Sequence, residues 1–237
     1  DHPMTTFTLV GTTEPFLHVG MRRGDKIFCE SNAMVMMEDT LELKGKLQGG
    51  LGQALLRRFA NDESLFQQHI EAIRGDGDCL LAPQLDGDLQ ILEVGQRQYT
   101  LADGAFVAAT DKVELKVKMN SSSGGALFGD NGGFLVMHTS GQGQLVVSGA
   151  GSLFELEVTP DKQVIVDNGH VVCWDTQLQY ELSTSTTQGT GFFGNLINSA
   201  TSGEGMVLRF RGAGRIVVCS RNRQNTVTWL HSKLGGS

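Results

Sequence analysis

The feature that most constrains this chain is a Gly-x-Gly step that comes three times, in "RGDGDCLLA" from Arg74, "SGQGQLVV" from Ser140 and "RGAGRIVV" from Arg211. A second marker keeps the same phase. Small-residue turns at Asn32-Ala33, Gly104-Ala105 and Asn168-Gly169 each precede a bulky residue and a valine: Met34-Val35, Phe106-Val107 and His170-Val171. Ala33 and Ala105 lie 72 residues apart, and Ala105 and Gly169 lie 64 apart. The first glycines of the steps, Gly75, Gly141 and Gly212, are separated by 66 and 71 residues. Single Gly-x-Gly pairs arise easily by chance, but two markers in one phase define a period of about 70 residues, the mark of tandem supersecondary units. The division this implies is 7–83, 84–160 and 161–230.

Within each unit the patterning is that of strands. "DKVELKVKM" sets Lys112, Glu114, Lys116 and Lys118 on one face and Val113, Leu115, Val117 and Met119 on the other, the period-2 alternation of a half-buried strand. "TLELKGKL" from Thr40 and "QLQYEL" from Gln177 repeat it. After each Gly-x-Gly the chain runs apolar again, and glycine there is expected to supply the positive φ of a hairpin turn. Between the markers come glycine-rich apolar inserts: "GGLGQALLRRF" from Gly49, "SSSGGALFGDNGGF" from Ser121 and "GTGFFGNLINSATSGEG" from Gly189. Leu51, Ala54, Leu55 and Phe59 make the first the one credible helix, and a short one. Connections this apolar suit an interface or the covered end of a barrel.

Composition and motifs remove most function classes. The chain has 237 residues, 31 glycines, 4 prolines and a formal charge of −7. No basic block is present to neutralise phosphates, so nucleic acid is not an expected partner. Cys29, Cys79, Cys173 and Cys219 are widely spaced and read as free, mostly buried thiols of a reducing compartment, hence a cytoplasmic protein. No apolar run approaches a membrane span. The opening "DHPM" shows no signal-peptide pattern and reads as a remnant ahead of a start at Met4.

The acidic cluster Asp76, Asp78, Asp86 and Asp88 suggests a calcium loop, but the equivalent turns carry Gln142 and Ala213 and no bidentate glutamate follows at loop spacing. "GTGFFG" (Gly189 to Gly194) matches a dinucleotide fingerprint formally, without the parallel strand and helix that fingerprint needs. Gly45-Lys46 lacks the earlier P-loop glycine. The six histidines form no His-x-His or His-Glu-x-x-His pair; His138 stands alone, and His170 takes the place of Met34 and Phe106, so both read as packed rings. "VSGAGS" around Ser148 is no nucleophile elbow. Arg23-Gly24-Asp25 and Arg74-Gly75-Asp76 read as turns. No catalytic residue, metal site or cofactor is expected.

Several linked stretches resemble a known family: "ESNAMV" (30–35), "GGL…ESLF" (49–66), "GDGDCLLAP" (75–83), "DGAFVA" (103–108), "DNGHVVCW" (167–174) and "SGEGMVLRFRGAG" (202–214). They are similar to the bacterial family related to the mitochondrial altered-inheritance-of-mitochondria proteins, over about Phe7 to Trp229. The resemblance implies an all-β fold like that of the tryptophan RNA-binding attenuation protein (TRAP). Three tandem β-sandwich or double-stranded β-helix-like units would lie in one chain, and chains would trimerise into a pseudo-ninefold ring. No residue here matches the tryptophan pocket or the basic triplets of that protein, so no ligand or RNA site carries over.

The expectation is therefore a non-enzymatic, ring-forming scaffold, a homotrimer with further protein partners unidentified. One alternative is a module binding a small molecule or nucleic-acid segment through its glycine-rich loops. Another is an organiser touching a membrane surface as a peripheral contact. The candidate interaction loops are Gly49, Gly50 and Leu51, then Leu127 and Phe128, then Gly191, Phe192 and Phe193.

Overall fold

In the computed structural model, residues 5–45, 68–119, 135–183 and 206–234 are described. The fold is all-β with one α-helix and one 3-10 turn among those residues. Two compact units divide the chain at Ser148.

The first unit holds β1 (Thr6–Val10), β2 (Phe16–Met21), β3 (Lys26–Cys29), β4 (Met34–Met37), β5 (Leu41–Gly45), β6 (Gln68–Ala72) and β7 (Gly77–Leu81). It continues with β8 (Asp88–Val94), β9 (Tyr99–Ala102), β10 (Phe106–Thr110), β11 (Val113–Met119), β12 (Leu135–Gly141) and β13 (Gly143–Gly149). One sheet runs β1-β2-β7-β4 and another β5-β6-β3-β10-β13-β8, while β11, β12 and β9 are neighbours in a further sheet. The alternation read in "DKVELKVKM" is real: Val113 and Leu115 are buried, Glu114 and Lys116 exposed, and β11 pairs antiparallel with β12 from Val113↔Gly141 to Met119↔Leu135. Leu17, Val19, Ile27, Cys29, Leu41, Ile70, Cys79 and Leu81 lie fully buried in one core cluster, the inward-facing residues of strands packed face to face.

The second unit holds β14 (Leu153–Val158), β15 (Val164–Asp167), a 3-10 turn (Asn168–His170), β16 (Val171–Asp175), β17 (Gln179–Ser183), β18 (Val207–Arg211), β19 (Gly214–Cys219) and α1 (Arg223–Leu234). Here β19 lies between β14 and β16, and β18 between β15 and β17. Its core is built around Trp174, whose ring stands edge-on to Tyr180 and Phe210 at 5.0 and 5.3 Å, with Leu208, Ile216 and Val217 buried nearby in sequence.

The glycine steps differ from the expectation. Gly141, Gly143 and Gly212 have positive φ, but Gly75, Gly77 and Gly214 do not. What the second glycine of each step shares is close approach. A Cβ on Gly77 would strike the Thr40 hydroxyl, one on Gly143 the Thr110 hydroxyl, and one on Gly214 would lie 3.0 Å from both Asp175 Oδ2 and Leu178 Cγ. The side chain beneath has a purpose in all three places. Glu38 accepts from the Asp78 N–H at 2.9 Å, Thr110 from Gln144 N–H at 3.0 Å, and Asp175 from Arg215 N–H at 2.9 Å. Gly143→Val is therefore expected to lose about 2–3 kcal/mol in urea unfolding through overpacking and a lost cap. Gly75→Ala, whose Cβ meets Thr40 Cγ2 at an ordinary 3.5 Å, should stay within about 1 kcal/mol of the parent.

One helix and one register shift were not expected. The helix expected around Leu51 to Phe59 lies outside the described residues, whereas α1 was not expected and occupies the end of the segment read as β up to 230. Its apolar residues Val227, Trp229, Leu230 and Leu234 are exposed, so no buried stripe announces it. The usable signal was Asn222, which caps it by accepting from Asn225 N–H, followed by Gly235-Gly236 in the sequence. His170 also does not stand in register with Met34 and Phe106. Met34 pairs with Leu81, Phe106 with Val147 and Val171 with Val218, each partner four residues past the second glycine of its step. The 3-10 turn takes up the extra residue, and His170 closes it with Nδ1 2.7 Å from the Cys219 carbonyl.

Candidate functional site

Two edge strands among the described residues, β4 and β15, expose apolar side chains with little charge to guard them. β4 reads Met-Val-Met-Met and is the last strand of its sheet, with β7 on one side only. Val35 is 52% exposed and Met36 41% exposed. β15 reads Val-Ile-Val-Asp and is the last strand of its own sheet, beside β18, with Ile165 37% exposed. Sheet edges offer a row of backbone donors and acceptors, and proteins protect them with charge, proline or a bulge. β4 does bulge, between Met34 and Met36, but it carries no charge and no proline, and β15 ends in a single aspartate.

The first unit contains a joint that shows what such edges suit. β3 and β10 pair antiparallel with Cys29↔Ala108, Phe28↔Ala109 and Ile27↔Thr110, and Glu30 N–H adds a bond to the Val107 carbonyl at 2.9 Å. β10 stands to β13 as β4 stands to β7, down to a bulge at the same step of the register. β3 stands to β6 as β15 stands to β18. Thus β4 and β15 each lack, among the described residues, the neighbour that β10 and β3 give one another.

The chemically versatile side chains are engaged in structure. All four cysteines are free and buried. Burial pushes the Cys29 and Cys79 thiols up to about 12, and raises Cys173 and Cys219 as well. The reactive thiolate is suppressed, so an aromatic disulfide reagent at about pH 8 should titrate few of the thiols in the native protein and all four in denaturant. His138 Nδ1 sits 3.1 Å from the Thr100 hydroxyl. Asp76 accepts from Arg23 N–H, Asp88 from Leu89 N–H, and Asp78 lies 3.7 Å from His18, so these carboxylates serve turns and a surface pair. Arg22-Arg23-Gly24-Asp25 is a turn, with Gly24 at positive φ and Asp25 accepting from Arg22 N–H.

Of the loops read as interaction sites, Gly49, Gly50, Leu51, Leu127, Phe128, Gly191, Phe192 and Phe193 all lie outside the described residues. The edges β4 and β15 were not singled out from sequence, because an apolar tetrapeptide reads the same whether its strand is central or terminal.

No helix among the described residues is long and apolar enough to cross a membrane. The chain is 34% identical over 214 residues to an uncharacterised protein of Streptococcus pyogenes serotype M6, M6_Spy0233, covering 88% of this chain and 82% of that protein. Its fold is similar to the crystal structure of protein SPYM3_0169 from Streptococcus pyogenes, with a TM-score of 0.79 and 29% identity, covering 98% of this chain and all of that one. Residues 7–221 match the family described as mitochondrial biogenesis AIM24, which leaves α1 beyond the matched region. On that match, the chain belongs to the AIM24 family.

Proposed function

We propose that this protein is a non-enzymatic, ring-forming scaffold whose chains join head to tail through β4 and β15. In this reading the chain is three copies of one repeating β unit, at 7–83, 84–160 and 161–230. The observation that carries it is the recurring wiring. β6, β12 and β18 sit between the strands that flank them in the same way. β7, β13 and β19 each pair with a strand bulged at one common step. The backbone N–H after the second glycine is capped from one common position, Glu38, Thr110 or Asp175.

A chain of such units ends in one edge of each kind, and these edges are complementary to each other rather than to themselves. Contacts of that sort are heterologous, and they terminate only by closing a ring. Three chains, giving nine units, is the number we propose. With β3–β10 as template, Val166 would lie opposite Met36 and Ile165 opposite Met37 of the next chain. The buried, suppressed thiols and bonded histidines support a scaffold in preference to an enzyme, and free thiols suit the cytoplasm.

Light scattering coupled to size exclusion tests this reading. A mass three times the 25.6 kDa of one chain at about micromolar concentration is expected, and a homogeneous single-chain mass would overturn it.

A further inference from the structure

A cleft of about 400 Å³ opens in the second unit between the 3-10 turn and the start of α1, lined by His170, Ser220, Arg221, Asn222, Asn225, Thr226 and Trp229. None of these residues is acidic, in a chain with a formal charge of −7. Among the described residues Arg221 makes no ion pair, and its Nη1 donates to the Ser220 carbonyl at 3.2 Å. Trp229 is 59% exposed, and it lines the cleft as the one aromatic wall besides His170. Asn222 is locked in place. It packs where Gly169 lacks a Cβ, and its Oδ1 accepts from Asn225 N–H at 3.3 Å. His170 is likewise fixed through Nδ1, which leaves Nε2 as its open position.

The volume lies in the range of small-ligand sites. A guanidinium, side-chain amides and hydroxyls at the positive end of a 12-residue helix favour an oxyanion, phosphate best of all. The broad face of Trp229 favours a flat ring beside it. We propose that this cleft binds a phosphorylated ligand with a planar base, of the mononucleotide class. Arg221 and Asn225 hold the phosphate, and Trp229 stacks on the base. The assignment is independent of the ring proposed above, because every lining residue belongs to one unit of one chain.

Tryptophan fluorescence provides the test, since Trp229 is exposed while the other tryptophan, Trp174, is buried. The 237-residue chain is titrated with AMP, GMP, CMP and UMP, and separately with adenosine and inorganic phosphate. At least one mononucleotide should quench emission saturably, and its two halves alone should bind roughly tenfold or more weakly, as split ligands do. Arg221→Glu should weaken binding by about tenfold or more. Asn225→Asp guards against a folding artefact. An acid in the first turn of α1 favours the helix dipole and so preserves the fold, yet it repels the phosphate and should also weaken binding. Trp229→Phe should remove the optical signal while calorimetry still detects binding. No saturable response to any mononucleotide up to about 5 mM, a level that reaches even weak affinities, would overturn the proposal. So would binding left unchanged by both Arg221→Glu and Asn225→Asp.

Discussion

Ile165→Lys is expected to convert the assembly to single chains, a threefold fall in mass, while leaving each chain folded. Ile165 is on the outermost strand of its sheet and is 37% exposed within one chain. The substitution therefore removes little intrachain packing, and substitutions at such surfaces usually stay within about 0.5 kcal/mol. In the proposed joint, however, the lysine would face Met37 of the next chain and place an ammonium where apolar strands meet, the device natural edges use to refuse a partner. Met36→Lys on β4 should act the same way from the other side of the joint. Combining Ile165→Lys with Met37→Glu should restore much of the mass, because opposite charges directly across a strand pair stabilise it by about 0.2–1 kcal/mol where like charges repel. Light scattering on the three variants reads all of this. If either single lysine variant retained the full parent mass, β4–β15 pairing would be wrong.

Trp174→Ala is expected to cost about 3–5 kcal/mol, the range for removing a buried large aromatic. Trp174 is 1% exposed and holds Tyr180 and Phe210 together at edge-on angles of 67°, so its loss opens a cavity and breaks two aromatic pairs. Trp174→Phe keeps most of the apolar area and should cost less than half as much. Urea unfolding followed by circular dichroism checks both, with protein concentration held fixed because assembly would add to apparent stability. A Trp174→Ala variant as stable as the parent would mean that the second unit is not centred on this residue.

How much of this was legible in the sequence depended on whether the signal was local. The Gly-x-Gly steps gave strand positions because close approach at Gly77, Gly143 and Gly214 admits no side chain, so residue type and geometry coincide. The reason was nevertheless misread, since positive φ holds at Gly141 and Gly212 but not at Gly75. The caps at Glu38, Thr110 and Asp175 were invisible. A carboxylate of either length or a hydroxyl can accept the same N–H, so three residue types serve one purpose and no motif survives. Helix α1 was missed because Val227, Trp229, Leu230 and Leu234 face solvent and give no periodic contrast. The edges β4 and β15 were hidden for a different reason. Which strand ends a sheet is a property of the whole pairing order, and Met34 to Met37 alone cannot state it.

The central claim is that β4 of one chain pairs with β15 of the next, and a cross-link reads it directly. Ile165→Cys and Met37→Cys are placed together in one chain, and disulfide formation is followed on a non-reducing denaturing gel. Residues directly opposite across a strand pair have Cβ atoms about 4.5–5.5 Å apart, near enough to bridge with small backbone movement. The native thiols compete little, because all four are buried. The account predicts that the double variant yields covalent dimers and a closed trimer, each reversed by reductant, and that neither single variant yields a trimer. A double variant that stays a single chain under oxidation, in protein that otherwise folds as the parent does, would contradict it.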